Sequence, residues 1–157
     1  MSQPYSLRKV SQMQGRESLA FSADVYLNGG RIGDVRNDGN GGCDLLNLDA
    51  GQTAHYLAAA KAMFPQKTFE VEEHLTRHLL VCAEMNCKRG WVFRTAEDVA
   101  EGDFAETGAY RSYSAKVSWE RALQALRARE DRDSVTVWEP EESDWVPLAY
   151  YSVLVSA

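Results

Sequence analysis

A glycine-rich loop at residues 37–44 is the first place where this sequence could bind a ligand. Its oxygen-bearing side chains are those of Asn37, Asp38, Asn40 and Asp44. Carboxylate and amide oxygens at such close spacing suit a hard cation. The loop lacks the spacing and the closing glutamate of an EF-hand, and no Gly-Lys-Ser/Thr sequence follows it as in a phosphate-binding loop. The pattern therefore favours a structural turn, and it leaves the binding of a small ligand or a metal as the alternative.

His74, His78 and Cys82 are spaced four residues apart on a predicted helix. Side chains at this spacing share one helix face, and both residue types bind zinc. Leu75 stands where a zinc protease would carry its glutamate, and the sequence identifies no fourth ligand. Histidines beside an apolar helix face are more often packed or hydrogen-bonded than ligating. We therefore predict no metal and no cofactor, and keep these three residues as the candidate ligands should a metal bind.

Two tryptophans enclose an acidic segment near the end of the sequence. The segment contains Trp138, Glu139, Glu141, Glu142, Asp144 and Trp145. Aromatic side chains beside charged ones are common at protein interfaces. We hypothesise that these six residues bind a partner protein. The alternative is a hairpin loop whose indole rings turn inward and complete the core.

The sequence contains no recognisable catalytic motif. It has no G-x-S-x-G elbow, and no cysteine has a setting known to activate a thiolate. Its carboxylates are concentrated in polar loops, which lack the apolar surroundings that raise a carboxyl pKa for acid–base catalysis. We therefore assign no catalytic residues and favour a protein that is not an enzyme.

The elements that must position these residues begin with a β-hairpin. Apolar and polar side chains alternate over Leu19–Leu27, a turn follows at residues 28–30, and residues 31–36 form the returning strand. Helices are predicted at residues 50–64 with Asp49 as N-cap, at 69–89 with Thr68 as N-cap, and at 116–129 with Ser114 as N-cap. The apolar spacing in the second helix predicts a buried side formed by Val71, Leu75, Leu79, Cys82 and Met85. Further strands are predicted at residues 91–94, 110–113, 134–138 and 146–155, and the rest of residues 96–114 is predicted to be loop.

These elements predict an α+β fold, in which an antiparallel sheet opened by the N-terminal hairpin packs with about three helices. The 157 residues are expected to form a single domain, with residues 1–15 less ordered than the rest. A homodimer is compatible with a domain of this size, although no residue in the sequence argues for one.

Composition restricts the classes of partner. The formal net charge is −6, which argues against non-specific binding of nucleic acid and is compatible with a basic protein partner. No apolar run approaches the roughly 20 residues of a membrane span, and the N-terminus lacks the apolar core of a secretory signal. Three cysteines with no paired framework favour a reducing compartment. We expect a cytoplasmic protein with no membrane association.

The beginning of the chain is similar to a group of small bacterial proteins. Residues 20–29, 32–35 and 37–42 resemble the start of uncharacterised proteins carried by phages, prophages and other mobile elements. No activity is attached to that group, so the resemblance implies no catalytic residue. It implies a setting in a bacterial host, where small acidic proteins of such elements bind and block host proteins, including those of defence systems.

Overall fold

The computed structural model describes residues 3–88, 90–100, 110–142 and 144–151. The chain divides into an N-terminal unit, Gln3–Ala83, and a C-terminal unit that begins at Glu84. The described elements include two four-stranded antiparallel sheets and four α-helices, so the predicted α+β class is confirmed. The strands form two separate sheets, and each sheet contains the strands of one unit.

The N-terminal unit is a four-stranded meander followed by two helices. Its elements are β1 (Tyr5–Gln14), β2 (Leu19–Leu27), β3 (Gly30–Asp38), β4 (Leu45–Asn47), α1 (Ala50–Met63) and α2 (Val71–Asn86), the last of which continues past the end of the unit. The strands lie in the order β1-β2-β3-β4. The predicted hairpin is confirmed as β2 and β3, and its turn residues Asn28 and Gly29 both have positive φ, as a tight right-twisted hairpin requires.

The alternation along β2 and β3 divides the sheet into a buried and an exposed face. Phe21, Val25 and Val35 point into a core that also contains Tyr56 of α1 and Leu75 of α2. The residues that alternate with this buried set along β2 and β3 are half-buried or exposed. The N-terminal unit therefore packs its two helices against one side of its sheet, and none of the unit's described helices covers the other side, which we call the open face.

Strand β1 lies in residues 1–15, for which the sequence predicts no element. It pairs with β2 over most of its length, with an irregularity between Arg8 and Ser11. Only Tyr5 and Leu7 are buried, and the later residues of the strand are mostly exposed. A strand with so few buried positions shows almost no hydrophobic alternation, which is why the sequence does not reveal it.

The helices of this unit follow the predictions except at the start of α2. Asp49 caps α1 as predicted, since its carboxylate accepts a hydrogen bond of 2.7 Å from the Gln52 N–H. The prediction that Thr68 caps the second helix is wrong, because α2 begins at Val71. Glu70 has a φ of 47°, a left-handed conformation that cannot belong to a right-handed helix. The buried face predicted for α2 is confirmed and comprises Val71, Leu75, Leu79, Cys82 and Met85.

The C-terminal unit contains the second sheet, with strands in the order β6-β5-β7-β8. Its elements are β5 (Gly90–Arg94), α3 (Ala96–Ala100), β6 (Arg111–Ser114), α4 (Trp119–Arg127), a 3-10 turn (Arg132–Ser134), β7 (Thr136–Glu139) and β8 (Asp144–Pro147). Its core includes Phe93, Leu123, Leu126, Val137 and Leu148. None of the described helices combines the length and apolar character needed to cross a bilayer.

Three predictions for this unit need correction. Helix α4 is capped by Ser118 rather than Ser114, since the Ser118 hydroxyl accepts a hydrogen bond from the Arg121 N–H and Ser114 belongs to β6. Residues 96–100 form the short helix α3 instead of a loop. The last predicted strand begins earlier, at the residues of β8, and ends at Pro147; residues 152–155 lie outside the described part of the chain.

Candidate functional site

The glycine-rich loop ends at a buried ion pair. The Asp44 carboxylate accepts two hydrogen bonds from the Arg77 guanidinium, at 3.1 and 3.2 Å. The side chains of Asp44 and Arg77 are only 3% and 10% exposed, and the guanidinium also lies 4.8 Å from the ring centroid of Phe21. A bidentate pair in such surroundings fixes the position of both groups. The carboxylate of Asp44 is therefore held against helix α2 by its ion pair with Arg77.

The side-chain amide of Asn37 forms its hydrogen bonds within the loop. Its Nδ2 donates hydrogen bonds of 2.9 Å to the Gly42 carbonyl and to Asp44. Its Oδ1 accepts a hydrogen bond of 2.9 Å from the Gly39 N–H. These bonds satisfy both donors and one acceptor site of a buried side chain. The loop is held closed by its own polar groups, as expected for a structural turn.

The other two predicted ligands of the loop are exposed. Asp38 accepts a hydrogen bond from the Asn40 N–H at 3.3 Å, which forms a local turn. A cation at the loop would need Asn37 or Asp44 to leave its present partners. The four predicted ligand residues therefore do not form a prepared cation site among the described residues.

A different cluster of possible ligands lies where the loop meets α2. The Cys43 sulfur and one carboxylate oxygen from each of Glu70 and Glu73 lie within 4.8 Å of one another. The Cys43 thiol donates to Glu70 at 3.5 Å, and Glu73 accepts a hydrogen bond from the Asp44 N–H at 2.9 Å. The hydrogen bond to Glu70 and the charges of both glutamates raise the pKa of Cys43. Burial raises the pKa of Glu73.

The sequence does not reveal this cluster, because Cys43 and Glu70 are separated by 27 residues. The Asp44–Arg77 pair brings the end of the loop onto the first turns of α2. Glutamates near a helix N-terminus are common for reasons of helix stability alone. Their position beside a cysteine could not be derived from the sequence.

The predicted histidine–cysteine set is only partly assembled. His78 Nε2 lies 3.4 Å from Cys82 Sγ, and both residues are buried. The rings of His74 and His78 pack against Phe64, at centroid distances of 5.7 and 6.4 Å. In the part of the chain that the structure describes, these three residues do not form a group of ligand atoms within metal-binding range.

The acidic segment lies at the β7–β8 hairpin, where Trp138 and Trp145 are direct cross-strand partners. Their rings pack edge to face with centroids 5.5 Å apart. Trp138 is only 5% exposed, and its Nε1 donates to Asn86 at 3.2 Å. The hypothesis of an exposed ring at Trp138 therefore has to be corrected, since the indole turns inward and supports the hairpin. Trp145 is half-buried, with the Arg94 guanidinium 4.3 Å from its ring centroid.

The acids of this hairpin point outward, with one exception. Glu141, Glu142 and Asp144 are exposed. Glu139 is half-buried and accepts hydrogen bonds from the Tyr151 hydroxyl at 2.9 Å and from the Glu141 N–H at 3.3 Å. Burial and the bond to Glu139 raise the pKa of Tyr151. We call Glu139, Glu141, Glu142 and Asp144 the acidic turn; residues 139–144 include no lysine or arginine.

Comparison of the chain with known protein families, with curated proteins and with solved structures finds no match. The sites described above are therefore the basis for any functional assignment.

Proposed function

We propose that this protein is a non-enzymatic interaction protein of phage or mobile-element type, which binds and blocks a basic protein of its bacterial host, a defence protein being one such target. The acidic turn is the proposed contact surface. The observation that carries the proposal is the exposure of Glu141, Glu142 and Asp144 at one end of a hairpin whose strands are held by aromatic packing.

The side-chain contacts beneath the acidic turn lower the entropic cost of binding a partner. Trp138 packs against Trp145 and is hydrogen-bonded to Asn86, and Glu139 is hydrogen-bonded to Tyr151. A surface that is already ordered loses less conformational entropy when a partner binds. The hairpin that carries the exposed carboxylates is therefore held in place before a partner binds.

The charge of the acidic turn defines the chemistry of the partner. Carboxylates at an exposed turn attract a surface rich in lysine and arginine, increase the rate of encounter and disfavour acidic partners. The net charge of −6 acts in the same direction over longer distances. The resemblance of residues 18–44 to proteins of mobile elements supports a protein of the bacterial cytoplasm as that partner.

The experiment begins with native mass spectrometry of the full chain purified gently from a bacterial lysate. A host protein at a fixed ratio is expected. Its affinity is then measured for the triple variant Glu141→Lys, Glu142→Lys, Asp144→Lys. Reversal of three charges at the contact surface should weaken binding about tenfold or more, and the loss should shrink at high salt.

A matched variant separates the acidic turn from net charge. The substitutions Glu97→Lys, Glu130→Lys and Asp133→Lys change three other exposed acids of the same unit and give the same net charge. This control should retain most of the affinity. Equal losses in the two variants, or no protein partner at fixed ratio, would contradict the proposal.

The alternative function, a small-ligand or metal-binding domain at residues 37–44, has less support because Asn37 and Asp44 are already bonded within the protein. The same native spectrum tests it. A non-covalent small mass or a metal ion that disappears in the variant Asp38→Ala, Asn40→Ala, which removes the two exposed oxygen ligands of the loop, would favour this alternative over the protein partner.

A further inference from the structure

The open face of the N-terminal sheet carries two adjacent rows of cross-strand neighbours near the loop end of the hairpin. Directly paired residues of a sheet point to the same side, so each row lies on one face. The first row contains Ser11, Ser22, Arg36 and Leu45, and the second contains Met13, Ala20 and Asp38. Both rows lie opposite to the buried side chains of Phe21 and Val35, and therefore face away from the helices.

These rows line a groove of about 510 Å³. Ser11 of β1 and Ala20 and Ser22 of β2 contribute small side chains to it, whereas Arg36 and Asp38 of β3 contribute charged ones. Met13 of β1 is 71% exposed and Leu45 of β4 is 56% exposed. An exposed sheet face with apolar side chains at both margins is a surface suited to packing against another protein.

Arg36 and Asp38 carry the charges of this groove. Arg36 forms no hydrogen bond or ion pair with any other described residue, and the one hydrogen bond that the Asp38 side chain forms within the described ranges is from the Asn40 backbone N–H. Farther along the same sheet face the situation differs, because Asp24 is paired with Arg31 at 3.2 Å and with Lys9 at 3.8 Å. Counting only the described part of the chain, the groove thus presents one cation and one anion to an outside partner.

We propose that a second copy of this chain packs face to face on this groove, with Arg36 of each copy against the partner's Asp38. Alternate residues of a strand are about 7 Å apart along it. A two-fold axis that lies between the two sheets, perpendicular to the strands and midway between the two rows, places the first row of each copy over the second row of its partner. The same axis places each strand over the same strand of the partner. It therefore forms the Arg36–Asp38 contact twice.

The same axis places apolar side chains over small ones. Met13 in the second row comes to lie over the partner's Ser11 in the first row, where the groove has room for it. Two sheets packed in this way are separated by about 10 Å, a gap that Met13 and Arg36 are long enough to fill. Two copies of this face are therefore complementary to each other in both charge and shape.

The test is the oligomeric state of the full chain in solution. Sedimentation equilibrium between about 1 and about 500 µM covers the affinities of small interfaces. The wild-type chain should self-associate to a dimer. Arg36→Asp and Asp38→Arg should each weaken self-association about tenfold or more, because each variant opposes like charges across the axis.

An equimolar mixture of the two variants provides the sharpest readout. The first variant presents two carboxylates and the second presents two guanidinium groups, so both cross-copy contacts in a mixed dimer join opposite charges. The mixture should dimerise about as well as wild type. Circular dichroism checks that each variant is folded.

A second pair of variants tests the apolar part of the proposal. Met13→Glu should weaken the dimer, whereas Phe69→Glu should not, since Phe69 is similarly exposed at 76% but lies outside the groove. A wild-type chain that remains monomeric over the whole range would overturn the proposal. So would a mixture of the charge variants that associates no better than either variant alone. Neither result bears on the acidic turn, which these variants leave unchanged.

Discussion

The guanidinium of Arg77 in α2 and the carboxylate of Asp44 form a two-bond ion pair that is almost removed from solvent. This pair attaches the end of the glycine-rich loop to the second helix of the N-terminal unit. Because Asp44 also accepts from Asn37, the loop and the helix share one network of hydrogen bonds. The network explains why this loop, despite its ligand-like composition, is a structural part of the fold.

Breaking this pair should strongly destabilise the N-terminal unit. Arg77→Met leaves the buried carboxylate of Asp44 without its cation, and we expect the free energy of unfolding to fall by about 3–5 kcal/mol. Urea denaturation measures the change. The control Lys9→Met removes an ion pair to Asp24 whose lysine side chain is 81% exposed, and should cost less than about 1 kcal/mol. A loss as small as the control's would show that the buried pair does not hold the loop.

Close backbone packing at Gly39 gives a second prediction. Gly39 has a φ of +78°, and a Cβ there would lie 2.8 Å from the Gly15 Cα and 2.9 Å from the Ala20 Cβ. Gly39→Ala should therefore cost the roughly 1–2 kcal/mol of a left-handed alanine plus about 1–3 kcal/mol of overpacking.

Gly29 is the matched control, since its φ is +84° but a Cβ there would meet nothing within 4 Å. Gly29→Ala should show only the conformational cost. The difference between the two free energies of unfolding isolates the cost of overpacking at Gly39 against Gly15 and Ala20. Equal losses would mean that this packing is not tight.

The stability of the C-terminal unit should depend on the ionisation of Asp98. Burial alone would raise the pKa of Asp98, but hydrogen bonds from Thr95 and Arg111 outweigh it and lower that pKa below its ordinary value. A carboxylate with a lowered folded-state pKa stabilises the protein above its unfolded pKa of about 3.9, and this stabilisation is lost as the pH falls through the folded value.

Asp98→Asn should therefore cost on the order of 2 kcal/mol at pH 7 and progressively less below about pH 4. Urea denaturation of wild type and variant at several pH values measures this difference. Asp133→Asn changes an exposed carboxylate of the same unit and should have an effect of about 0.5 kcal/mol or less. A difference between wild type and Asp98→Asn that is independent of pH would contradict the prediction.

The thiol of Cys43 should react slowly at neutral pH although it is exposed. Its hydrogen bond to Glu70 and the nearby negative charges raise the pKa of Cys43, and only the thiolate is alkylated. Glu70→Gln removes the charge and replaces the carboxylate acceptor by a weaker amide acceptor, so the midpoint of the pH profile for alkylation by iodoacetamide should move to lower pH. Peptide mass spectrometry follows the modification of each cysteine separately.

Glu72→Gln is a suitable control for Cys43, because it removes a charge from the first turn of α2 without affecting the Cys43–Glu70 hydrogen bond. The alkylation midpoint of Cys43 should stay close to that of wild type in this variant. A midpoint that is the same in Glu70→Gln and in wild type would show that Glu70 does not control the thiol.

Short-range patterns in the sequence were sufficient for much of the local structure. The alternation in Leu19–Leu27 and the Asn-Gly turn predicted the hairpin, and Asp49 predicted the start of α1. The apolar spacing in α2 predicted its buried face. Each of these features depends on residues within a few positions of one another, so the necessary information is contiguous in the chain.

The sequence by itself therefore determined the α+β class, most of the elements and the acidic character of the β7–β8 turn. Tertiary structure alone decided that Asp44 belongs to Arg77, that Trp138 turns inward, and that Arg36 and Asp38 lie on an open sheet face. These outcomes depend on which distant residues are brought together. Which residues meet depends on the packing free energy of a whole unit, to which many weak contacts contribute. This free energy cannot be read from any short segment of the sequence, because the contacts join residues that are far apart in the chain.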